Sequence, residues 1–101
     1  VALVSSSQVN VADVSINSLM SSLKIKDFRK MRKWVVDNID VEPSTIFRKL
    51  YDNMNEYVEP ASIPQLVLIL ADYQYKNSFV ADHELNMVAC LTEVMAGVKF
   101  K

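Results

Sequence analysis

The sequence predicts an all-α fold, a compact bundle of about five helices. Apolar residues recur at helical spacing along five stretches, and polar residues suited to capping precede most of them. The only long apolar run, "LVLILA" at 66–71, has no second strand to pair with, so we interpret it as helix. A chain of 101 residues suffices for one domain with one modest core. The predicted helices lie at about 13–23, 27–38, 42–57, 62–76 and 82–98.

Capping residues and prolines indicate where these helices begin. Asp27 and Asp82 suit the N-cap position, where a carboxylate accepts a hydrogen bond from a free backbone amide. Ser62 is predicted to cap the fourth helix in the same way. Pro43 and Pro64 fit the first turns of the third and fourth helices, because a first-turn amide has no partner within the helix.

The last two predicted helices carry more apolar residues than one helix face can hold. The unbroken run at 66–71 predicts burial on all sides, so we expect the fourth helix to be the central one. The apolar residues of the fifth are Leu85, Met87, Val88, Ala89, Cys90, Leu91, Val94 and Met95. That stripe is wider than a small domain normally buries, which predicts a partner.

Composition excludes several function classes. With 11 basic and 12 acidic residues, the chain has no overall field to attract nucleic acid or an anionic membrane. Gly97 is the only glycine, which excludes the glycine-rich loops that bind phosphates and dinucleotides. No apolar run approaches the roughly 20 residues that span a bilayer. The single cysteine excludes an internal disulfide and fits the cytoplasm, a reducing compartment.

The segment "SFVADHELNMVAC" at 78–90 holds the only histidine and the only cysteine. His83 followed by glutamate resembles the start of a zinc-binding HExxH helix, but Met87 stands where the second histidine would be. Cys90 would supply only a second ligand, and its apolar surroundings predict a buried, inert thiol. We interpret the segment as a capped helix start and keep a small metal or thiol enzyme as an alternative.

The basic run "KIKDFRKMRK" at 24–33 holds six Lys or Arg residues and one Asp. It is interpreted as the solvated face of an amphipathic helix. The alternative is weak contact with nucleic acid through Lys26, Arg29 and Lys33.

The aromatic residues of "DYQYKNSF" at 72–79 are Tyr73, Tyr75 and Phe79. A base-stacking platform is disfavoured because neither a strand nor a basic groove is predicted beside them. We expect them to pack the junction between the last two helices or to contact another subunit.

Three stretches together carry a family resemblance. Residues 18–35, "SLMSSLKIKDFRKMRKWV", follow the order of short helix, "LK-KD" and basic helix. Residues 46–87 follow the order of helix, "P-SI", apolar helix, aromatic-polar junction and "A--EL", and "ALVSS" at 2–6 is similar to an entering linker. In this order they resemble the C-terminal collar domain of a phage DNA-polymerase clamp-loader small subunit, a relative of replication factor C small subunits.

The chain departs from the cellular relatives at the last helix junction. Those relatives usually have an arginine and a glycine there, whereas "YKNSFVADHEL" at 75–85 has lysine and no glycine. The resemblance is therefore to the phage branch.

The resemblance implies a domain organisation and a function. Residues 1–10 correspond to a linker from a missing N-terminal ATPase and lid region, and residues 11–101 to a helical collar domain. Collars hold together the subunits of the ATP-driven machine that opens the sliding clamp and places it on primer–template DNA. ATP and magnesium belong to the missing modules, so we expect no catalysis and no cofactor in this fragment.

The expected partners are the other clamp-loader subunits, with the clamp and DNA contacted only by the full-length protein. The expected location is the cytoplasm, that of the host cell for a phage protein. The residues predicted to form the subunit interface are Tyr73, Tyr75, Phe79, Leu85, Met87, Val88 and Leu91. The alternative function is an independent small helical module that binds nucleic acid or protein.

Overall fold

Five α-helices and a short 3₁₀ turn make up most of residues 16–101, the part of the chain that the computed structural model describes. The elements are α1 (residues 16–24), α2 (Phe28–Asp37), α3 (Pro43–Tyr57), the 3₁₀ turn Pro60–Ser62, α4 (Ile63–Asn77) and α5 (His83–Gly97). Within these residues there is no strand, only an isolated antiparallel bridge between Val58 and Phe100. The predicted all-α bundle is confirmed. The predicted linker at 1–10 and the predicted helix start at 13 lie outside the described residues.

Two aspartates cap helices as predicted. The Asp27 carboxylate accepts a hydrogen bond from the amide of Lys30 at 3.1 Å, and the Asp82 carboxylate accepts one from the amide of Leu85 at 3.1 Å. Both aspartates have the extended backbone that an N-cap requires. Pro43 and Pro64 also occupy the first turns of α3 and α4, as their lack of an amide hydrogen favours.

The prediction that Ser62 caps α4 is wrong. Ser62 has a helical rather than extended backbone, because the 3₁₀ turn leads directly into α4, and its side chain makes no capping bond. Its hydroxyl instead accepts a hydrogen bond from the amide of Lys99 at 3.1 Å. Two backbone bonds, from Glu59 to Lys99 and from Lys101 to Tyr57, complete this attachment. Ser62 therefore ties the chain after α5 to the start of α4.

Helices α4 and α5 each pack against two other helices, α4 against α3 and α5, and α5 against α4 and α2. Helix α5 buries more of its residues, six against three in α4. Leu66 and Leu70 of α4 are buried, but Leu68 from the same apolar run is exposed. The prediction that this run is buried on all sides is therefore wrong, since α4 has neighbours over only part of its circumference.

The buried core draws on every helix. Helix α1 contributes four residues, α2 three, α3 four, α4 three and α5 five hydrophobic residues. These are Ile16, Leu19, Met20, Leu23, Met31, Trp34, Val35, Ile46, Phe47, Leu50, Met54, Leu66, Ile69, Leu70, Met87, Cys90, Leu91, Val94 and Met95. None of the helices in the described range is long and apolar enough to cross a membrane.

Candidate subunit-association surface

The outer face of α4 exposes three large hydrophobic side chains. Leu68 is 71% exposed, Tyr75 69% and Phe79, just beyond the helix, 71%. Leu68 and Tyr75 are seven residues apart and therefore lie on the same side of the helix. The rings of Tyr75 and Phe79 contact each other, with centroids 5.1 Å apart. We call these three residues the α4 stripe.

The α4 stripe is apolar surface that a partner could cover. Complete burial of a side chain such as leucine or phenylalanine stabilises by about 1.5–3 kcal/mol relative to exposure. Exposed Pro64 and Ala71 adjoin the stripe, four residues before and three after Leu68, whereas Asp72, four residues after Leu68, pairs with Lys76 beside it. Tyr75 and Phe79 were predicted to belong to an interface, whereas Leu68 was assigned to the interior.

Tyr73 has a different environment from its two aromatic neighbours. It is half-buried, and its hydroxyl donates a hydrogen bond to Glu93 of α5 at 3.2 Å. Lys76 places its ammonium 4.7 Å from the centre of the Tyr73 ring and pairs with Asp72 at 2.9 Å. The backbone carbonyl of Tyr73 accepts a hydrogen bond from Asn86 at 3.3 Å. Tyr73 therefore joins α4 to α5, as expected of a residue that packs their junction.

The surroundings of Tyr73 raise the pKa of its phenol. Partial burial is the main cause, and the negative charge of Glu93 together with the hydrogen bond to it acts in the same direction. The positive charge of Lys76 opposes this effect. The phenol is thus held in its neutral, hydrogen-bond-donating form.

The residues of α5 predicted to contact a partner fall into two groups. Leu85 is 67% exposed and Val88 is half-buried, so both reach the surface. Met87 is 3% exposed and Leu91 is fully buried, because α5 packs against α2 as well as α4. Met87 and Leu91 are therefore core residues, and the α5 surface open to a partner is narrower than predicted.

His83 and Cys90 do not form a catalytic pair. His83 is exposed, with Nδ1 2.8 Å from Oδ1 of Asn77, whereas the Cys90 thiol is fully buried. Burial raises the pKa of the Cys90 thiol to about 12, and the nearby charges of Glu93 and Asp72 add to this effect. Among residues 16–101, no three His, Cys, Asp or Glu residues are grouped so that they could hold a metal ion.

The three basic residues predicted to touch nucleic acid are all exposed. Lys26 lies in the turn before α2 with a left-handed backbone, φ 58°. Arg29 and Lys33 lie on α2, and Lys33 pairs with Asp37 at 2.8 Å. Their exposure is equally consistent with a solvated helix face, so contact with nucleic acid stays a prediction.

A groove of about 590 Å³ lies where the end of α2 meets the starts of α3 and α5. Its floor is apolar, and four carboxylates but no Lys or Arg line it. The lining residues are Val35, Asn38, Ile39, Asp40, Val41, Glu42, Pro43, Ile46, Ala81, Asp82, His83, Glu84 and Met87. We call it the α2–α5 groove. The sequence does not reveal the groove because its two walls are separated by almost forty residues, although Asp40 and Glu42, shortly after the basic run, are a visible signal.

No protein-family model matches the chain, and no curated protein matches it. The similarity to clamp-loader collars therefore stays a sequence-based prediction.

Leu91→Ala and Leu85→Ala form a matched pair that tests the division of α5 into core and surface. We expect Leu91→Ala to lower the free energy of unfolding by about 2–5 kcal/mol, because it leaves a cavity in the core. Leu85→Ala should change it by less than about 0.5 kcal/mol, because this side chain is mostly in solvent. Urea denaturation of both variants measures the difference, and equal losses would contradict the assignment.

We expect Cys90 to resist thiol reagents in the folded protein. At pH 8, a shift of its pKa from 9.0 to about 12 reduces the thiolate fraction by about a thousandfold. Labelling with a chromogenic disulfide should be slow under native conditions and rapid in urea. The pKa of the Cys90 thiol is higher in the folded than in the unfolded protein. Its contribution to the free energy of unfolding is therefore complete below pH 9 and is lost as the pH rises toward 12. Rapid native labelling at pH 8 would show that the thiol is accessible.

Proposed function

We propose that this chain is a subunit-association domain of the collar type, which holds the subunits of a phage DNA-polymerase clamp loader together. The observation that supports it most directly is the α4 stripe, a set of large apolar side chains on one side of a well-packed helix. Leu85, at the start of α5, adds a fourth exposed side chain after the short loop at 78–82. The all-α bundle and the ordered sequence similarity support the same proposal.

The α4–α5 hairpin offers this surface in a preorganised form. Core residues hold the two helices together from inside, and the contacts of Tyr73 with Glu93 and Asn86 hold them near the surface. A partner that binds a preformed surface orders few additional groups, so more of the apolar contact contributes to affinity. This arrangement suits a permanent structural contact.

In this proposal the domain acts by holding other modules near one another. Joined collars raise the effective concentration of the ATPase modules attached to them, so these can act as one machine. ATP and magnesium are assigned to those modules, and the clamp and primer–template DNA are contacted only by the full-length protein. No catalysis is assigned to the collar itself, and the proposed setting is the host cytoplasm.

The second candidate is a nucleic-acid-binding module that uses the basic face of α2. Exposed Lys26, Arg29 and Lys33 favour it. The α2–α5 groove at the end of the same helix weighs against it, because its carboxylates repel phosphate. We therefore prefer the association domain.

We expect the chain to associate through the α4 stripe. Sedimentation velocity from micromolar to millimolar concentration should show a reversible oligomer, and the double variant Leu68→Gln/Tyr75→Gln should shift it strongly toward smaller species. Ile25→Gln is the matched control, since Ile25 is 61% exposed and lies in the turn between α1 and α2 rather than on α4. Urea denaturation should give the double variant and Ile25→Gln a stability similar to that of the unchanged chain. A monomer at every concentration, or association unaffected by the double variant, would contradict the proposal.

The assignment to a clamp loader has a separate test. If the chain is a collar, the gene sequence upstream of residue 1 should encode an ATPase module with a P-loop. Sequencing the gene upstream of residue 1 shows directly whether such a module is encoded. An upstream region that encodes no such module would contradict the clamp-loader assignment, while the proposal of a subunit-association domain would remain.

A further inference from the structure

Helix α2 carries a basic surface next to an acidic groove. Phe28, Arg29, Arg32, Lys33 and Val36 line a shallow depression on its outer face. Phe28 and Val36 are each nearly half exposed, so this basic face also has an apolar component. We call these five residues the α2 basic face.

The α2–α5 groove has the opposite charge and a similar apolar component. Asp40, Glu42, Asp82 and Glu84 supply four carboxylates, and no Lys or Arg lines it. Ile39 is 53% exposed at its edge, between the helix and the groove. The two surfaces are thus complementary in charge, and each offers apolar side chains to the other.

The charges that would pair are not neutralised by nearby residues. Across residues 16–101, neither Arg29 nor Arg32 takes part in an ion pair, and neither do Asp40 and Glu42. Of the α2 basic face, only Lys33 has such a partner, Asp37. Both surfaces can therefore form new ion pairs without breaking existing ones.

We propose that the α2–α5 groove binds the α2 basic face of a second copy of this chain, in a dimer with two-fold symmetry. The α2 basic face runs along helix α2, and the α2–α5 groove begins at the C-terminal end of that helix. If two α2 helices lie side by side and antiparallel, the N-terminal end of each, with Phe28 and Arg29, lies opposite the C-terminal end of the other, where the groove begins, and one two-fold axis relates the two contacts. A parallel arrangement would place like charges together, which is unfavourable.

Phe28 is the apolar side chain that reaches the groove in this arrangement. It lies at the N-terminal end of α2, and the antiparallel pairing places that end opposite the groove of the other copy. The ten residues of α2 span about 15 Å, enough to separate the two contacts of the dimer. Arg29 and Arg32 then face Asp40 and Glu42 across the interface.

This dimer uses a different surface from the α4 stripe, so it does not depend on the proposed collar function. It also competes with nucleic-acid binding for Arg29 and Lys33. The two possibilities make opposite predictions for a charge-reversed pair of variants, because only protein–protein pairing can be restored by reversing the charges of the partner.

The test is charge reversal on each surface, carried out on the 101-residue chain with Leu68→Gln/Tyr75→Gln present to remove the α4 stripe. One variant is Arg29→Glu/Arg32→Glu, and the other is Asp40→Lys/Glu42→Lys. The parent should form a dimer that weakens as salt is added. Each variant alone should weaken the dimer about tenfold or more, because like charges then face each other. An equimolar mixture should restore a dimer containing one copy of each.

Two control variants, Lys99→Glu and Glu59→Lys, reverse exposed charges elsewhere and should leave the dimer unchanged. A parent that stays monomeric, or a mixture that does not restore the dimer, would overturn the proposal. Species larger than a dimer in the mixture would overturn the two-fold arrangement. A monomeric parent that binds duplex DNA with steep salt dependence, and loses it in Arg29→Glu/Arg32→Glu, would decide for nucleic-acid binding.

Discussion

The packing of α5 between α4 and α2 is the constraint on which the rest of the structure depends. Cys90 and Leu91 are adjacent and both fully buried, although successive residues of a helix point about 100° apart. Such a broad buried arc requires a neighbour on each side of the helix. Helix α4 covers one side and α2 the other, and α3 then packs against α4. The positions of α4 and α2 thus follow from the need to cover α5, and that of α3 from its contact with α4.

The same constraint leaves α4 with an uncovered apolar side. Its contacts with α5 and α3 bury residues such as Leu66 and Leu70, while Leu68 faces away from them. A domain of about one hundred residues has one core and no further layer of helices with which to cover the opposite side. The α4 stripe thus arises because α4 is apolar on a side that neither α3 nor α5 covers.

Features that depend on neighbouring residues could be predicted from the sequence, and those that depend on distant ones could not. Asp27 and Asp82 were recognised as caps because each bonds an amide three residues away. The role of Ser62 could not be predicted, because its hydroxyl accepts a hydrogen bond from the amide of Lys99, which is 37 residues away.

The same limit applies to the candidate surfaces. An unbroken apolar run has no periodicity, so nothing in it distinguishes exposed Leu68 from its buried neighbours. Met87 and Leu91 were assigned to a surface because the sequence does not show that α2 packs against α5. The groove was missed because three helix ends form it together.

The two proposed contacts would contribute differently to an assembly. An apolar surface such as the α4 stripe gains free energy from the area that it buries, and this gain depends little on orientation. Pairs such as Arg29 with Asp40 add less to affinity but disfavour every arrangement that brings like charges together. Because the stripe is on α4 and the charged surfaces are along α2, one contact can supply affinity while the other fixes the orientation of the copies.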